Sequence, residues 1–373
     1  MKKVILFLTC FLFVVCTTAR AQKDWDGDES VGDFNWWNNW NPNSNSHVGW
    51  GFGVDLNFNS QNNTTPTVLN FNLGGWYDIG NIVWRNTYNK SMTLSGSPGG
   101  ISFKQKLENY SSFAQTITVD LSGGKNGAPW IELNPVNGNL TMSGNFYNDI
   151  SSDYLVFGTN GKTLTLNTTL GVGNTAANVD FSVEQASNVQ VNNNQTWAGT
   201  TRVRAGSFKT GSTVTLASSG IEVSGGTFET TSANVVVDTG TVNVSSGEYK
   251  LGGNDTVGSL AASGGVVTVA SGATLTANGN SSITGSARAT GGTVAIANNS
   301  RLTLANSSTT TSSDLSIGSG ATLAGTGGTS GQIKGSGLLS PGNSPGILTS
   351  GSVDLTGEID FAFEFTAAGA PTY

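Results

Sequence analysis

A glycine followed by a short run of alternating apolar and small polar residues recurs through the second half of the chain. Gly272-Ala273-Thr274-Leu275 and Gly320-Ala321-Thr322-Leu323 are the clean copies. Gly226-Thr227-Phe228, Gly240-Thr241-Val242-Asn243-Val244, Gly265-Val266-Val267-Thr268-Val269 and Gly292-Thr293-Val294-Ala295-Ile296 are looser ones. Each reads as a tight turn leading into a strand with one apolar side. A single unit this small cannot bury that side, but a stack of them can, each covering the next. The pattern therefore points to a rod, which displays surface more readily than it encloses a reaction. Gly206, Gly226 and Gly247 precede strands at steps of 20 and 21 residues. That step fits one turn of a β-solenoid made of two or three short parallel strands. Val, Leu, Ile, Ala and Phe are expected inside, with Thr, Ser and Asn outside and at the corners.

Composition agrees with tightly turned β-structure. Only 11% of residues are charged, against about a quarter in typical soluble domains. Small polar residues take their place and satisfy the backbone in turns. Between 251 and 350 the charged residues are Asp255, Arg288, Arg301, Asp314 and Lys334, and there is no aromatic. Little helix is expected. Residues 22–110 differ sharply: Trp25, Trp36, Trp37, Trp40, Trp50, Trp76 and Trp84 are seven of the nine tryptophans. This segment reads as a Trp/Asn-rich β cap, since a repeat array exposes an apolar end that something must cover. Residues 111–373 read as the solenoid, with the clearest repeats over 197–350.

Residues 1–21 have the form of a secretory signal. Lys2 and Lys3 open it, Val4 to Cys16 is its apolar run, and Ala19-Arg20-Ala21 is its cleavage site. The run is shorter than the roughly 20 residues of a membrane span, and no later segment is long and apolar enough to be one. Both cysteines, Cys10 and Cys16, fall inside it, so the mature chain is expected to use no disulfide. Losing Lys2, Lys3 and Arg20 from 17 basic residues, against 24 acidic ones, leaves a net charge of about −10. Such a chain is a poor partner for nucleic acid or anionic lipid.

Trp197-Ala198-Gly199-Thr200-Thr201-Arg202-Val203-Arg204-Ala205-Gly206-Ser207-Phe208 resembles the autotransporter-associated β-strand repeat. Gly335-Ser336-Gly337-Leu338-Leu339-Ser340-Pro341-Gly342-Asn343-Ser344-Pro345-Gly346-Ile347-Leu348 resembles a signature of the same proteins, and Glu358 to Phe365 the strand that follows it. Trp25-Asp26-Gly27, with Asn39-Trp40 downstream, is similar to their N-terminal segments. The resemblance implies an exported, surface-exposed, right-handed parallel β-helix on a Gram-negative outer surface. It also implies a longer chain, because relatives run on into a barrel or a sorting tail where this one stops at Tyr373.

Candidate sites each have a plainer reading beside them. Gly342-Asn343-Ser344-Pro345-Gly346 matches a nucleophile elbow. However, prolines flank Ser344 and the only histidine, His47, is far away in sequence, so a rigid corner is expected. One histidine and no mature cysteine argue against zinc. Asp24, Asp26 and Asp28 alternate and have the donor chemistry for calcium, or form a solvated leader. Gly158 to Thr163 ends like a phosphate loop but lacks its first glycine, and Asn160-Gly161 reads as a turn. Trp36, Trp37, Trp40 and Trp50 are the candidates for carbohydrate binding, by stacking on pyranose rings, against simple packing of the cap. Arg202 and Arg204 share one face of a strand and suit either acidic polysaccharide or solvent. No cofactor is expected.

Three functions compete. The first is a non-enzymatic passenger or stalk that touches host, matrix or extracellular polysaccharide. The second is a polysaccharide-active enzyme on the same scaffold, which needs clustered carboxylates with a basic residue on one face. Its candidates, Asp180, Glu184, Glu222, Glu229, Asp238 and Glu248, are spread over several expected coils. The third is a carbohydrate-binding cap on an inert stalk.

Overall fold

The computed structural model describes residues 21–25, 40–41, 54–59, 67–71, 75–96, 99–125, 127–148, 152–159, 161–172, 179–305, 311–342 and 346–362. Over these residues the chain is all-β, a parallel β-helix in which each turn passes through three stacks of strands. One turn shows the plan. Gly220–Thr230 begins on the first stack and bends onto the second. Val236 touches the third through single bridges. Thr241–Leu251 then returns to the first stack, directly over Gly220–Thr230. The only helical element among the described residues is one short 3₁₀ turn, Leu355–Gly357.

The stacks hold a strict register because side chains alternate in and out along each strand. On the second stack the inward column runs Leu140, Leu164, Val189, Phe208, Phe228, Tyr249, Val267, Ala289. The neighbouring outward column runs Thr116, Thr141, Thr165, Gln190, Lys209, Glu229, Lys250, Thr268, Thr290. Like sits on like, so apolar surface on one coil covers apolar surface on the next. Within the tube an aromatic series passes through Phe146, Tyr154, Phe181, Trp197, Phe208, Phe228 and Tyr249. Beyond Tyr249 the core narrows to aliphatic residues.

Gly206, Gly226 and Gly247 occupy one corner in successive coils, as their spacing predicts. At Gly247, φ is +77° and a Cβ would stand 2.2 Å from the carbonyl oxygen of Gly226. The two clean Gly-Ala-Thr-Leu copies belong to different stacks: Leu275 pairs with Val294 on the third and Leu323 with Leu302 on the first. The phrase is thus a corner with its strand, used on any face, rather than a whole coil.

Two features of the coils stand beside the expectations. The stacks run through residue 110 without a break, since Lys106–Asn109 pairs with Ile82–Trp84 before it and Trp130–Asn134 after it. Val54–Phe58 already lies in the first stack. The aromatic segment from 54 onward is therefore coiled like the rest, its large side chains filling the tube: Phe58 and Trp84 stack with centroids 5.3 Å apart. Secondly, the interior is not purely apolar. Gln115, Gln195, Thr201, Thr210, Thr230 and Asp255 are all buried. Thr201 bonds the side chains of Trp197 and Ser218, whereas the other five accept hydrogen bonds from backbone amides that the ladder leaves unpaired. Gln195 accepts from the Leu170 amide at 3.0 Å and donates to the carbonyls of Thr168 and Asn193 at 2.9 and 2.8 Å.

Candidate functional site

A series of charged residues from Lys106 to Glu222 lines the outer side of the first stack. Parallel register places Lys106 beside Glu132 and Glu108 beside Asn134. Glu132 accepts from Trp130 Nε1 at 2.9 Å, Lys106 Nζ at 2.9 Å and Asn134 Nδ2 at 3.1 Å. The same Asn134 nitrogen reaches Glu108 at 3.2 Å. Two largely buried carboxylates thus share one amide beside a lysine. Sequence reasoning missed this pair. Its signal was the alternation Lys106-x-Glu108 and Glu132-x-Asn134, hidden because the N-terminal coils are longer than the 20- and 21-residue steps of the clear repeats.

Three coils further on, Asp180, Arg202 and Glu222 align. Arg202 bonds Asp180 through Nη1 and Glu222 through Nε at 2.9 Å. Arg204 holds Glu184 at 2.6 Å, and the Ser182 hydroxyl donates to Glu184, also at 2.6 Å. Arg202 and Arg204 do share one face, as expected, and both are engaged by carboxylates. Glu229 and Glu248 lie elsewhere, on the second stack. Glu229 bridges Lys209 at 3.0 Å and Lys250 at 3.6 Å, and Glu248 accepts from Thr268 at 2.6 Å. Of the carboxylates considered from sequence, Asp180, Glu184 and Glu222 thus meet on one face around Arg202 and Arg204, whereas Glu229 and Glu248 belong to another, so Glu222 and Glu229 lie on separate faces.

Two of these carboxyls, Glu132 and Glu184, have shifted pKa values. Burial pushes the Glu132 carboxyl up, but the hydrogen bonds from Trp130 and Lys106 and the Lys106 charge outweigh it and hold it below the ordinary value. Glu184 behaves alike: burial raises it, while the bonds from Arg204 and Ser182 more than compensate and lower it. A general acid in glycoside hydrolysis needs the opposite, a carboxyl kept protonated near neutral pH. What this arrangement does is join coils. Each ion pair spans two or three successive strands, so charge on one turn is neutralised by the next. Their outer rims stay in solvent, with Arg204 and Glu222 each about half exposed at the side chain.

The other candidates are placed as follows. Trp36, Trp37, Trp50, His47, Asp26, Asp28, Ser344 and nearly all of the expected signal lie outside the described residues. Trp40 sits in a short strand, Trp40–Asn41, that pairs antiparallel with Ala21–Trp25, Trp40 opposite Trp25 and Asn41 opposite Asp24. Gly161 has φ +66°, the conformation of a turn. Among the described residues no group of three or more His, Cys, Asp or Glu side chains is placed to hold a metal ion. Nor, among them, is any helix long and apolar enough to cross a membrane.

Fold and surface together define a parallel β-solenoid with a coil-to-coil charge lattice on its exterior. Comparison with known proteins returns no matching family model, no matching curated protein and no matching solved structure.

Proposed function

We propose that the chain is an exported, non-enzymatic β-helical protein of the cell surface, a passenger or stalk for adhesion or matrix contact, of the autotransporter-associated β-strand repeat kind. One observation carries the reading. The convergent charged groups on the outer face are spent on linking coils, and the two carboxylates whose shift is resolved there, Glu132 and Glu184, are held ionised rather than poised to donate a proton. The rod is then a self-supporting surface, and many weak contacts along it sum through multivalency. The test is to coat beads with the full chain and measure retention on cells or matrix, while protease treatment of intact producing cells reports surface display. Retention above uncoated beads, with release of the chain by protease, is the expected result. A chain that stays protected inside intact cells overturns the proposal.

A second reading, a polysaccharide-active enzyme, draws on the Glu108–Glu132 pair beside Lys106. It requires new reducing ends or unsaturated uronate from a polysaccharide panel, lost in both Glu108→Gln and Glu132→Gln. The expected outcome is no turnover by the wild-type chain.

A further inference from the structure

We infer that the outer face of the third stack carries a binding site for a neutral pyranose unit of a glycan, built on Trp76 and Tyr147. Trp76 opens the strand Trp76–Ile79, and its side chain points out of the tube rather than into it. Its register partner on the next coil is Gly100, which has no side chain, so the indole lies down along the rod: a Cβ at Gly100 would stand 2.6 Å from Trp76 Cζ3. The ring reaches over the next two coils to Tyr147, with centroids 5.6 Å apart and planes at 81°. Between them, Ser102 and Ser122 are register partners of each other on successive coils of the same outward column. Tyr147 continues that column beyond Ser122. Trp76, Ser102, Ser122, Lys125 and Tyr147 enclose an open groove of about 370 Å³.

The position is not one that packing demands. The described core aromatics stack inside the tube, whereas Trp76 keeps 47% of its surface in solvent on the outside. Trp130, the other exposed tryptophan among the described residues, is tethered to Glu132. An indole face set at a right angle to a phenol ring, over serine hydroxyls, offers the two contacts a sugar needs. The C–H face of a ring with equatorial hydroxyls lies on the indole, and its hydroxyls face the polar atoms of the groove lining. Asp78 and Asp120, the register partners of Ser102 and Gly100 on the same outer face, disfavour a polyuronate and leave a neutral glycan as the occupant.

The inference rests on the reading of the exterior as the working surface, and its test is kept separate from that reading. The full chain is titrated calorimetrically with cellohexaose, chitohexaose and laminarihexaose, and with an oligogalacturonate of similar length as the charged counter-probe. One neutral oligosaccharide is expected to bind, with affinity falling at least tenfold in Trp76→Ala and unchanged in Trp130→Ala. Should Trp76→Ala fail to fold, Ser102→Val, which fills the groove floor, reads the same loss. Absence of binding by all three neutral probes, an unaltered affinity in both groove variants, or preference for the oligogalacturonate overturns the site. Bead retention on cells that persists while the neutral probes fail to bind removes the groove and leaves the adhesive stalk standing.

Discussion

The rings of Phe208 and Phe228 lie face to face, their centroids 5.1 Å apart and their planes within 3°. They do so because the two residues hold the same register position on successive coils. Tyr249 extends the stack at 5.6 Å from Phe228. Phe228 is fully buried, and its Cβ direction is fixed by the strand, so its neighbours have little freedom to collapse into a gap. Phe228→Ala is expected to destabilise the chain by about 3–5 kcal/mol, read as a shift of the denaturant midpoint. In a solenoid each coil contacts chiefly its neighbours. Hydrogen exchange should therefore quicken in the adjoining coils first, at Phe208 and Tyr249, before it does so at distant ones such as Leu323.

Two glycines with the same backbone conformation separate strain from crowding. Gly247 and Gly272 have φ of +77° and +78°. A Cβ at Gly247 meets the Gly226 carbonyl oxygen at 2.2 Å, whereas one at Gly272 meets nothing within 4 Å. Gly272→Ala should cost only the left-handed penalty, about 1–2 kcal/mol. Gly247→Ala should cost clearly more, because the corner must also move away from the coil beneath. Equal melting temperatures for the two variants would mean that this corner is not tightly stacked.

The plan of strands was readable in the sequence because it depends on local rules. Gly206, Gly226 and Gly247 fix a corner, and alternation along Thr163–Leu166 or Asn188–Val191 fixes which side faces in. What was not readable depends on contacts between coils. Glu108 and Glu132 meet only once the length of the intervening coil is known, and its glycines, Gly123, Gly124 and Gly127, do not open the glycine-plus-alternating-strand phrase seen later. Gln195 and Asp255 look like surface residues until the missing ladder partners that they replace are seen. Trp76 can lie down along the rod because Gly100 stands on the next coil, a relationship 24 residues away in the chain.

Gln195 tests the idea that side chains complete the ladder. It is buried, and three hydrogen bonds to backbone groups of Leu170, Thr168 and Asn193 end on its amide. Gln195→Leu keeps the volume close and adds apolar surface, so a purely hydrophobic interior would accept it. Because it strands a buried N–H and two carbonyls, each worth about 1–3 kcal/mol when unpaired, it should instead destabilise by about 3 kcal/mol or more. Denaturant unfolding reads the loss. Faster exchange of the Leu170 amide, with that of distant coils unchanged, would place it at the broken ladder.

Asp255 should give the rod a dependence on pH. It is buried, accepting from the amides of Val235, Val236 and Thr256 at 3.3, 3.2 and 2.9 Å. Desolvation pushes its pKa up to about 6, with the nearby Asp238 charge adding to the rise and the three amides opposing it. Tyr249, packed in the same core, is raised by burial and by the Asp255 charge, and stays neutral throughout. In the unfolded chain the carboxyl titrates near its ordinary value of about 3.9. Between roughly pH 4 and 6 the folded state therefore holds a proton that the unfolded state has released. Stability from this group is fully present below that window and is lost as pH rises through it, at up to about 1.4 kcal/mol per pH unit. Asp255→Asn removes the titration. The difference in unfolding free energy between wild type and Asp255→Asn should thus shift in favour of wild type as the pH is lowered from 7 to 5. A difference that stays constant, or moves the other way, would show that the carboxylate is already satisfied in its charged form.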